Sequence, residues 1–233
     1  MPSTLAAMQI AGFTAGPFGT NTYVVINSGE NASGNGASDA TPEAFVIDPG
    51  KDSYAQVLKI VEEAGAELVA VVLTHGHIDH TRDCAEFGLP VYIHPDDEVM
   101  LVPKWGAPGN FGQIFEVDSM KQPEDLRHLS AGETMTFAGM DFRIVHAPGH
   151  SPGCALLIAL DEDVVFAGDV LFAGSIGRTD LPLSDPAAMD RSLAGPVWDL
   201  DDALTVLPGH GPATTVAHER ATNPYLKAAG QAR

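Results

Sequence analysis

A cluster of histidines around one aspartate is the feature of this 233-residue sequence that most directly indicates chemistry. The segment Thr74-His75-Gly76-His77-Ile78-Asp79-His80 places three imidazoles and a carboxylate within six positions. Imidazole and carboxylate groups together form the ligand set of zinc and similar divalent cations. Because side chains alternate in an extended loop, His75 and His77 point the same way. A helix that begins near Ile78 would direct Asp79 and His80 to a second point, so this loop could serve two neighbouring metals.

Three further potential ligands each follow an apolar strand, in a turn that contains glycine. They are His150 in Pro148-Gly149-His150, Asp169 in Gly168-Asp169 and His210 in Gly209-His210-Gly211. Strand ends that meet at one sheet edge are where α/β sites are usually assembled, and glycine lets the backbone approach a ligand closely. Together with residues 75–80, the set contains five histidines and two aspartates, which matches two metal sites.

The remaining sequence predicts a mixed α/β scaffold for these side chains. Strands are expected at 22–26, 45–48, 68–73, 91–93, 134–137, 142–146, 155–160, 164–167 and 205–207. Helical spacing predicts a helix that Ser53 caps and Gly65 ends, and further helices over 95–101, 185–193 and 214–220. Residues 28–42 are rich in Gly, Asn, Ser and Ala, which predicts a flexible loop between two strands. We expect residues 1–233 to form a single domain.

Composition argues against several classes of partner. The chain has 12 Lys plus Arg against 31 Asp plus Glu, a net charge of −19. Phosphate binding requires clustered Lys and Arg, so neither nucleic acid nor an anionic membrane is an expected partner. With two cysteines, no leader pattern over residues 1–12 and no run of about 20 apolar residues, a cytoplasmic protein is expected. The sequence leaves the oligomeric state open.

The order HxHxDH, GH, GD and GHG resembles the metallo-β-lactamase superfamily, and the resemblance extends from residues 21–23 and 48–50 to residues 208–211. It implies an α/β (α+β) fold, a four-layer αββα sandwich with a dinuclear site at one edge of its sheets. The implied ligands are His75, His77 and His150 for one metal, Asp79, His80 and His210 for the other, and Asp169 as the bridge. Asp48 would orient the metal-binding loop through hydrogen bonds. Two divalent ions are expected, zinc by default, with iron or manganese as alternatives.

Within that superfamily, the segments at 94–97, 177–181 and 223–226 are similar to those of short bacterial glyoxalase II-like hydrolases. The implied reaction is hydrolysis of a thioester, such as S-D-lactoylglutathione or a related small-molecule acyl-thiol. Two cations roughly 3.5–4 Å apart can share a water, lower its pKa from about 15.7 towards 7, and supply a hydroxide that attacks a carbonyl. Asp79 would orient that hydroxide. The longer members recognise glutathione through a C-terminal helical extension, which is not expected in a chain of this length.

Substrate contacts and alternative functions follow from fewer residues. Arg178 could contact an anionic substrate or hold its own loop through Asp180, and Lys104 is expected at the mouth of the site. The main alternative is a mononuclear-iron persulfide dioxygenase, a class that shares the fold but typically lacks the glycine-flanked ligand retained here as His210. A non-catalytic metal-binding module would bind metal without turnover. A β-lactamase is less expected without an export signal, and a nuclease conflicts with the charge of −19.

Overall fold

The computed structural model describes residues 8–28, 41–102, 107 and 109–232, and within these its strands form two six-stranded sheets. The first sheet runs in order through β1 (Met8–Ala15), β2 (Thr20–Asn27), β3 (Glu43–Ile47), β4 (Glu67–Val72), β5 (Val91–Ile93) and β6 (Leu126–His128). The second runs from β7 (Thr134–Phe137) through β8 (Met140–His146), β9 (Ala155–Ala159), β10 (Val164–Gly168) and β11 (Thr205–Pro208) to β12 (Thr214–Thr215). Strands β3 to β6 pair in parallel, as do β10 and β11, and the other neighbours are antiparallel.

Helices α1 (Tyr54–Glu63), α4 (Pro186–Ser192), α5 (Val216–Thr222) and α6 (Pro224–Gln231) cover the outer faces of the two sheets. The short helices α2 (Ile78–Thr81) and α3 (Phe111–Ile114) instead pack in a separate small cluster around Phe115. Single 3₁₀ segments span Pro95–Leu101 and Val117–Ser119, and a π-helical turn spans Leu193–Val197. In the described chain, no helix has the length and apolar character that crossing a bilayer requires.

Three apolar clusters show why four layers form. Between the sheets, Phe45 of the first sheet packs with Phe142 and Phe166 of the second, and all three are buried. On the outer side of the first sheet, α1 contributes Val57 and Val61, four residues apart on one helix face. The outer side of the second sheet packs against α4, α5 and α6. Strands β2 and β9 are buried along their whole length, since both of their faces are covered. The predicted αββα sandwich is confirmed.

Several local predictions need correction. Strands β1, β6 and β12 and helices α3 and α6 were not expected, and the helix expected over 214–220 is instead the short strand β12 followed by α5. Ser53 precedes α1, but its side chain makes no capping bond. The carboxylate of Asp83 caps the helix instead, accepting hydrogen bonds from the backbone N–H groups of Ser53 (3.0 Å) and Tyr54 (3.3 Å). Most of the loop expected over 28–42 lies outside the described residues, and the extent of the domain stays a prediction.

The topology brings the predicted ligand segments to one edge. Because β3, β4 and β5 are parallel, their carboxyl ends lie side by side, and the histidine loop follows β4 directly. In the second sheet, Asp169 follows β10 and His210 follows β11, the two strands that pair in parallel. An isolated antiparallel bridge between Thr20 and His210 joins this edge to the first sheet.

Candidate metal centre

The structure brings six of the seven predicted ligands into two groups. The ligand atoms of His75, His77 and His150 lie within 4.8 Å of one another, as do those of Asp79, His80 and His210. In the first group, His77 Nδ1 lies 2.8 Å from His150 Nε2. In the second, His210 Nε2 lies 3.1 Å from Asp79 Oδ2 and 3.2 Å from His80 Nε2. The two groups correspond to the two sets expected from the sequence.

Asp169 lies between the groups and reaches both. Its Oδ2 is 3.3 Å from His150 Nε2, in the first group, and 3.6 Å from His210 Nε2, in the second. Its Oδ1 is 3.4 Å from His80 Nε2. A carboxylate with an oxygen near each group has the position that a bridging ligand requires.

Unpaired polar atoms provide a test of whether a cation fits here. Among the described residues, His75 Nε2 and Asp169 Oδ1 are buried and have no hydrogen-bond partner. Leaving such an atom unpaired costs about 1–3 kcal/mol, so a folded chain usually supplies a partner. His75 belongs to the first group and Asp169 lies between the two, and nitrogen and carboxylate oxygen are suitable ligands for Zn, Fe and Mn. The donor set therefore fits a dinuclear site for divalent cations.

The protonation states of two of the histidines agree with this fit. Burial lowers the pKa of His75 well below its usual value and that of His77 to about 3, so both imidazoles are neutral, the form that binds metals. Burial alone would also lower the pKa of His80, but the carboxylates of Asp79 and Asp169 hold it well above its usual value. A cation that binds His80 must therefore displace a proton.

Asp48 and Thr74 set the orientation of two of the ligand rings. Asp48 is buried at the end of β3 with a φ of 50°, a left-handed conformation that non-glycine residues rarely adopt. Its Oδ2 accepts hydrogen bonds from His80 Nδ1 (3.0 Å) and Thr74 Oγ1 (2.6 Å). Because Thr74 donates its hydroxyl proton to Asp48, Thr74 Oγ1 accepts a hydrogen bond from His75 Nδ1 at 3.1 Å. Both rings then direct Nε2 towards the site, which is the orienting role expected of Asp48.

Asp97 is a second carboxylate that positions the metal-binding loops, and residue type and spacing alone do not predict this role. It is fully buried in the 3₁₀ segment after β5. Its oxygens accept hydrogen bonds from Gly76 N (2.8 Å), Gly153 N (2.6 Å) and Ser151 Oγ (2.5 Å). It thereby connects the loop of His75 and His77 to the loop of His150. The signal for it in the sequence is its place in the segment His94-Pro95-Asp96-Asp97, one of the three segments on which the finer family resemblance rests.

The segment around Arg178 supports the site through its backbone. His150 Nδ1 donates to the carbonyl oxygen of Arg178 at 2.7 Å, which turns His150 Nε2 towards Asp169. The Arg178 side chain makes two bonds to Asp180, with Nε at 2.7 Å and Nη2 at 2.9 Å. The contact of Arg178 with its own loop is therefore present, and its contact with a substrate stays a prediction. Lys104 lies outside the described residues, so its expected place at the mouth stays a prediction.

A cavity of about 340 Å³ opens onto the two groups of ligands. His77, Asp79, His150, Asp169 and His210 all contribute to its wall. This volume lies near the lower end of the range of about 300–1,000 Å³ that is common for small-molecule sites. The metal-binding groups are therefore accessible to a substrate of moderate size.

Comparison with known proteins assigns the family. Residues 40–210 match the Metallo-beta-lactamase superfamily, so the chain belongs to that superfamily, which consists mostly of metallo-hydrolases. The chain is 31% identical to the hydroxyacylglutathione hydrolase GloC of Haemophilus influenzae over 192 residues, 81% of this chain and 89% of that protein. The crystal structure of the B3 metallo-beta-lactamase BLEG-1 has a TM-score of 0.75 at 31% identity, covering 94% of this chain and 99% of that one. TTHA1623, solved in a di-iron-bound form, has a TM-score of 0.72 at 34% identity, covering 92% and 99%.

Proposed function

We propose that this protein is a dinuclear metal-dependent hydrolase that cleaves a thioester between an acyl group and a small thiol. The observation that carries the proposal is the pair of ligand groups joined by Asp169 at the base of an accessible cavity. The similarity to GloC, whose name specifies a hydroxyacylglutathione, supports a thioester such as S-D-lactoylglutathione as substrate. Zinc is the expected metal, although the di-iron form of TTHA1623 makes iron an alternative.

The chemistry divides between the bound ions and the side chains. When bound, a pair of divalent ions lowers the pKa of a shared water and polarises a carbonyl oxygen. Asp79 lines the cavity, and Thr20 Oγ1 donates to its Oδ2 at 3.1 Å, which fixes the carboxylate. Burial raises the pKa of Asp79, but His80 and His210 nearby hold it well below its usual value, so it stays ionised and can orient an attacking water. A thiol leaving group with a pKa near 8.5 departs as thiolate, so no side chain need protonate it.

The test combines metal analysis with a substrate panel. Purified protein is assayed with S-D-lactoylglutathione, a second acyl-thiol, a β-lactam and a persulfide, and its metals are measured by elemental analysis. His77→Ala and Asp169→Ala should each lose bound metal and thioester hydrolysis together. His218→Ala, which removes an exposed histidine on α5, is the matched control and should retain both.

Other outcomes would assign the alternatives. Full thioester hydrolysis by His77→Ala or Asp169→Ala would refute the proposal. One iron per chain with sulfite formation from the persulfide would support a dioxygenase. The likeness to BLEG-1 makes β-lactam hydrolysis the second candidate, and turnover of the β-lactam alone would support it. Two bound metals without turnover of any substrate would indicate a binding module.

A further inference from the structure

The wall of the cavity beside the metal centre is apolar. Apart from the five predicted ligands, it is formed largely by six apolar side chains: Phe18, Ile78, Phe111, Phe172, Ile176 and Leu181. Arg178 is the one cation that lines it in the part of the chain that the structure describes. The Arg178 side chain is 60% exposed and paired with Asp180, so its guanidinium lies towards solvent at the rim. The remaining lining residue is Ser175, whose hydroxyl donates to the carbonyl oxygen of Ile176 at 3.5 Å. A charged or strongly polar group against the six apolar side chains would lose hydration without gaining a partner from them.

One side of the wall projects from the tip of a hairpin. Phe18 lies in the turn between β1 and β2, where Gly16 and Gly19 adopt φ values of 69° and 65°. Its ring meets Phe111 and Phe115 edge-on, with centroids 5.2 and 5.0 Å away. Despite these contacts, Phe18 remains 43% exposed at the cavity. An exposed aromatic ring beside a reactive centre offers apolar area that a bound group can cover.

Buried polar groups hold the part of the wall that includes Phe172 and Ser175. Gly174 N donates to Glu219 Oε2 at 2.8 Å, and Asn223 Nδ2 donates to Ser175 O at 3.0 Å and to Phe172 O at 3.4 Å. Glu219, which lies in α5, and Asn223, which lies between α5 and α6, are both fully buried. These bonds give the Asn223 segment a role and fix the loop that carries Phe172. Because the wall is formed before binding, little conformational entropy is lost when an apolar group enters.

We propose that this cavity takes the acyl group of the substrate and selects apolar acyl groups over polar ones such as lactoyl, an inference that rests on the proposed thioester hydrolysis. The thiol part extends past Arg178 towards solvent. The charge of −19 agrees with this arrangement, because an anionic acyl group would meet net repulsion as well as an apolar wall. The preferred substrates are therefore thioesters of short, uncharged alkyl or aryl acids, and lactoyl thioesters such as S-D-lactoylglutathione are cleaved with a lower kcat/KM.

The experiment compares acyl groups on one uncharged thiol, N-acetylcysteamine. Isobutyryl and lactoyl thioesters differ by a methyl in place of a hydroxyl, and each kcat/KM is divided by the rate of alkaline hydrolysis of that thioester. We expect the isobutyryl thioester to be favoured about tenfold. Along the series acetyl, butanoyl, hexanoyl, we expect about a fourfold gain per added methylene until the cavity is filled.

Two neighbouring leucines provide a matched pair of variants. Leu181 lines the cavity, whereas Leu183 lies two residues further on and is 42% exposed. Leu181→Ala and Phe18→Ala should each reduce the advantage of hexanoyl over acetyl about tenfold. Leu183→Ala should leave that advantage within twofold of the unsubstituted protein. Equal effects of Leu181→Ala and Leu183→Ala would contradict the assignment of the wall.

A binding measurement separates this inference from the proposed function. Titration calorimetry of the metal-loaded protein with acetate, butanoate and hexanoate requires no turnover, and the carboxylate is the same in all three. Hexanoate binding at least tenfold tighter than acetate, without hydrolysis of any thioester, would refute the proposed function and leave the apolar cavity supported. Thioester hydrolysis with equal binding of the three acids, or with lactoyl favoured over isobutyryl, would overturn the inference. Hydrolysis rates that depend on the thiol part of the thioester and not on its acyl group would also overturn the inference.

Discussion

Replacing Asp97 with asparagine should weaken two metal-binding loops at once, although Asp97 touches neither metal-binding group. Its carboxylate accepts bonds from Gly76 N, Gly153 N and Ser151 Oγ at 2.8, 2.6 and 2.5 Å, respectively. Hydrogen bonds to a charged acceptor contribute about 1.5–3 kcal/mol each, against about 0.5–1.5 kcal/mol for a neutral one. Asn keeps one acceptor oxygen and presents an N–H group to a donor, so one bond is lost and the others become neutral.

The expected loss is about 2–4 kcal/mol in the free energy of unfolding. This loss is smaller than the sum of three charge-assisted hydrogen bonds, because Asn also removes a buried negative charge. Burial of that charge is unfavourable, and it raises the pKa of Asp97. Urea denaturation of the metal-free protein, followed by circular dichroism, measures this change. Because the loops of His77 and His150 would be held less firmly, metal affinity should fall about 10–100-fold, measured by competition with a chelator.

The adjacent Asp96 provides the control, since its side chain is 58% exposed. Asp96→Asn removes the same charge and should change the free energy of unfolding by no more than about 0.5 kcal/mol. If Asp97→Asn behaved like Asp96→Asn in both stability and metal affinity, the organising role of Asp97 would be refuted.

Three other substitutions or treatments test separate parts of the structure. Asp48→Asn should lower metal affinity about 10–100-fold in a chelator competition, because the amide can no longer fix His80 as the carboxylate does; unchanged affinity would contradict this. Gly209→Ala places a methyl group against Asp169 and should reduce bound metal in elemental analysis, whereas full metal content would show that the loop can yield. Burial raises the pKa of Cys84 to about 12, so iodoacetamide at about pH 8 should not alkylate it in the folded protein, as read by mass spectrometry. The same shift lowers the free energy of unfolding as pH rises from 9.0 towards 12. The Cys84 thiol of the unfolded chain ionises from pH 9.0 upwards, whereas that of the folded chain stays protonated until about 12.

Much of the candidate site could be predicted because its residues are dense in sequence. The loop from His75 to His80 contains four of the seven predicted ligands, and each of the other three follows a strand with glycine beside it. Residue type and spacing are sufficient there, since the ligands must be imidazoles or carboxylates and must follow strands that meet at one edge. The mixed α/β layering was predictable from alternating strand and helix patterns, with the apolar run over 68–73 as a buried strand, whereas the four αββα layers were implied by the family resemblance.

The parts that could not be predicted depend on contacts between distant segments. Asp97 is one of several acidic residues in its segment, and its role arises from backbone N–H groups 21 and 56 positions away. The cavity wall combines Phe18 in the turn after β1, Phe111 at the start of α3 and Phe172 in the loop after β10, three separate segments with no common spacing. Strand β1 was not predicted because it lies at the edge of its sheet, where exposed polar residues interrupt the apolar pattern. In each case, tertiary packing determines the role.

If Asp169 joins two cation sites, the number of metal ions bound per chain shows it most directly. Protein loaded with zinc, freed of excess by dialysis and measured by elemental analysis together with protein concentration, should hold two ions per chain. Asp169→Ala should hold fewer, because its carboxylate contacts both ligand groups. A value of one ion or none for the unsubstituted chain, or two ions retained after Asp169→Ala, would contradict a carboxylate-bridged dinuclear centre.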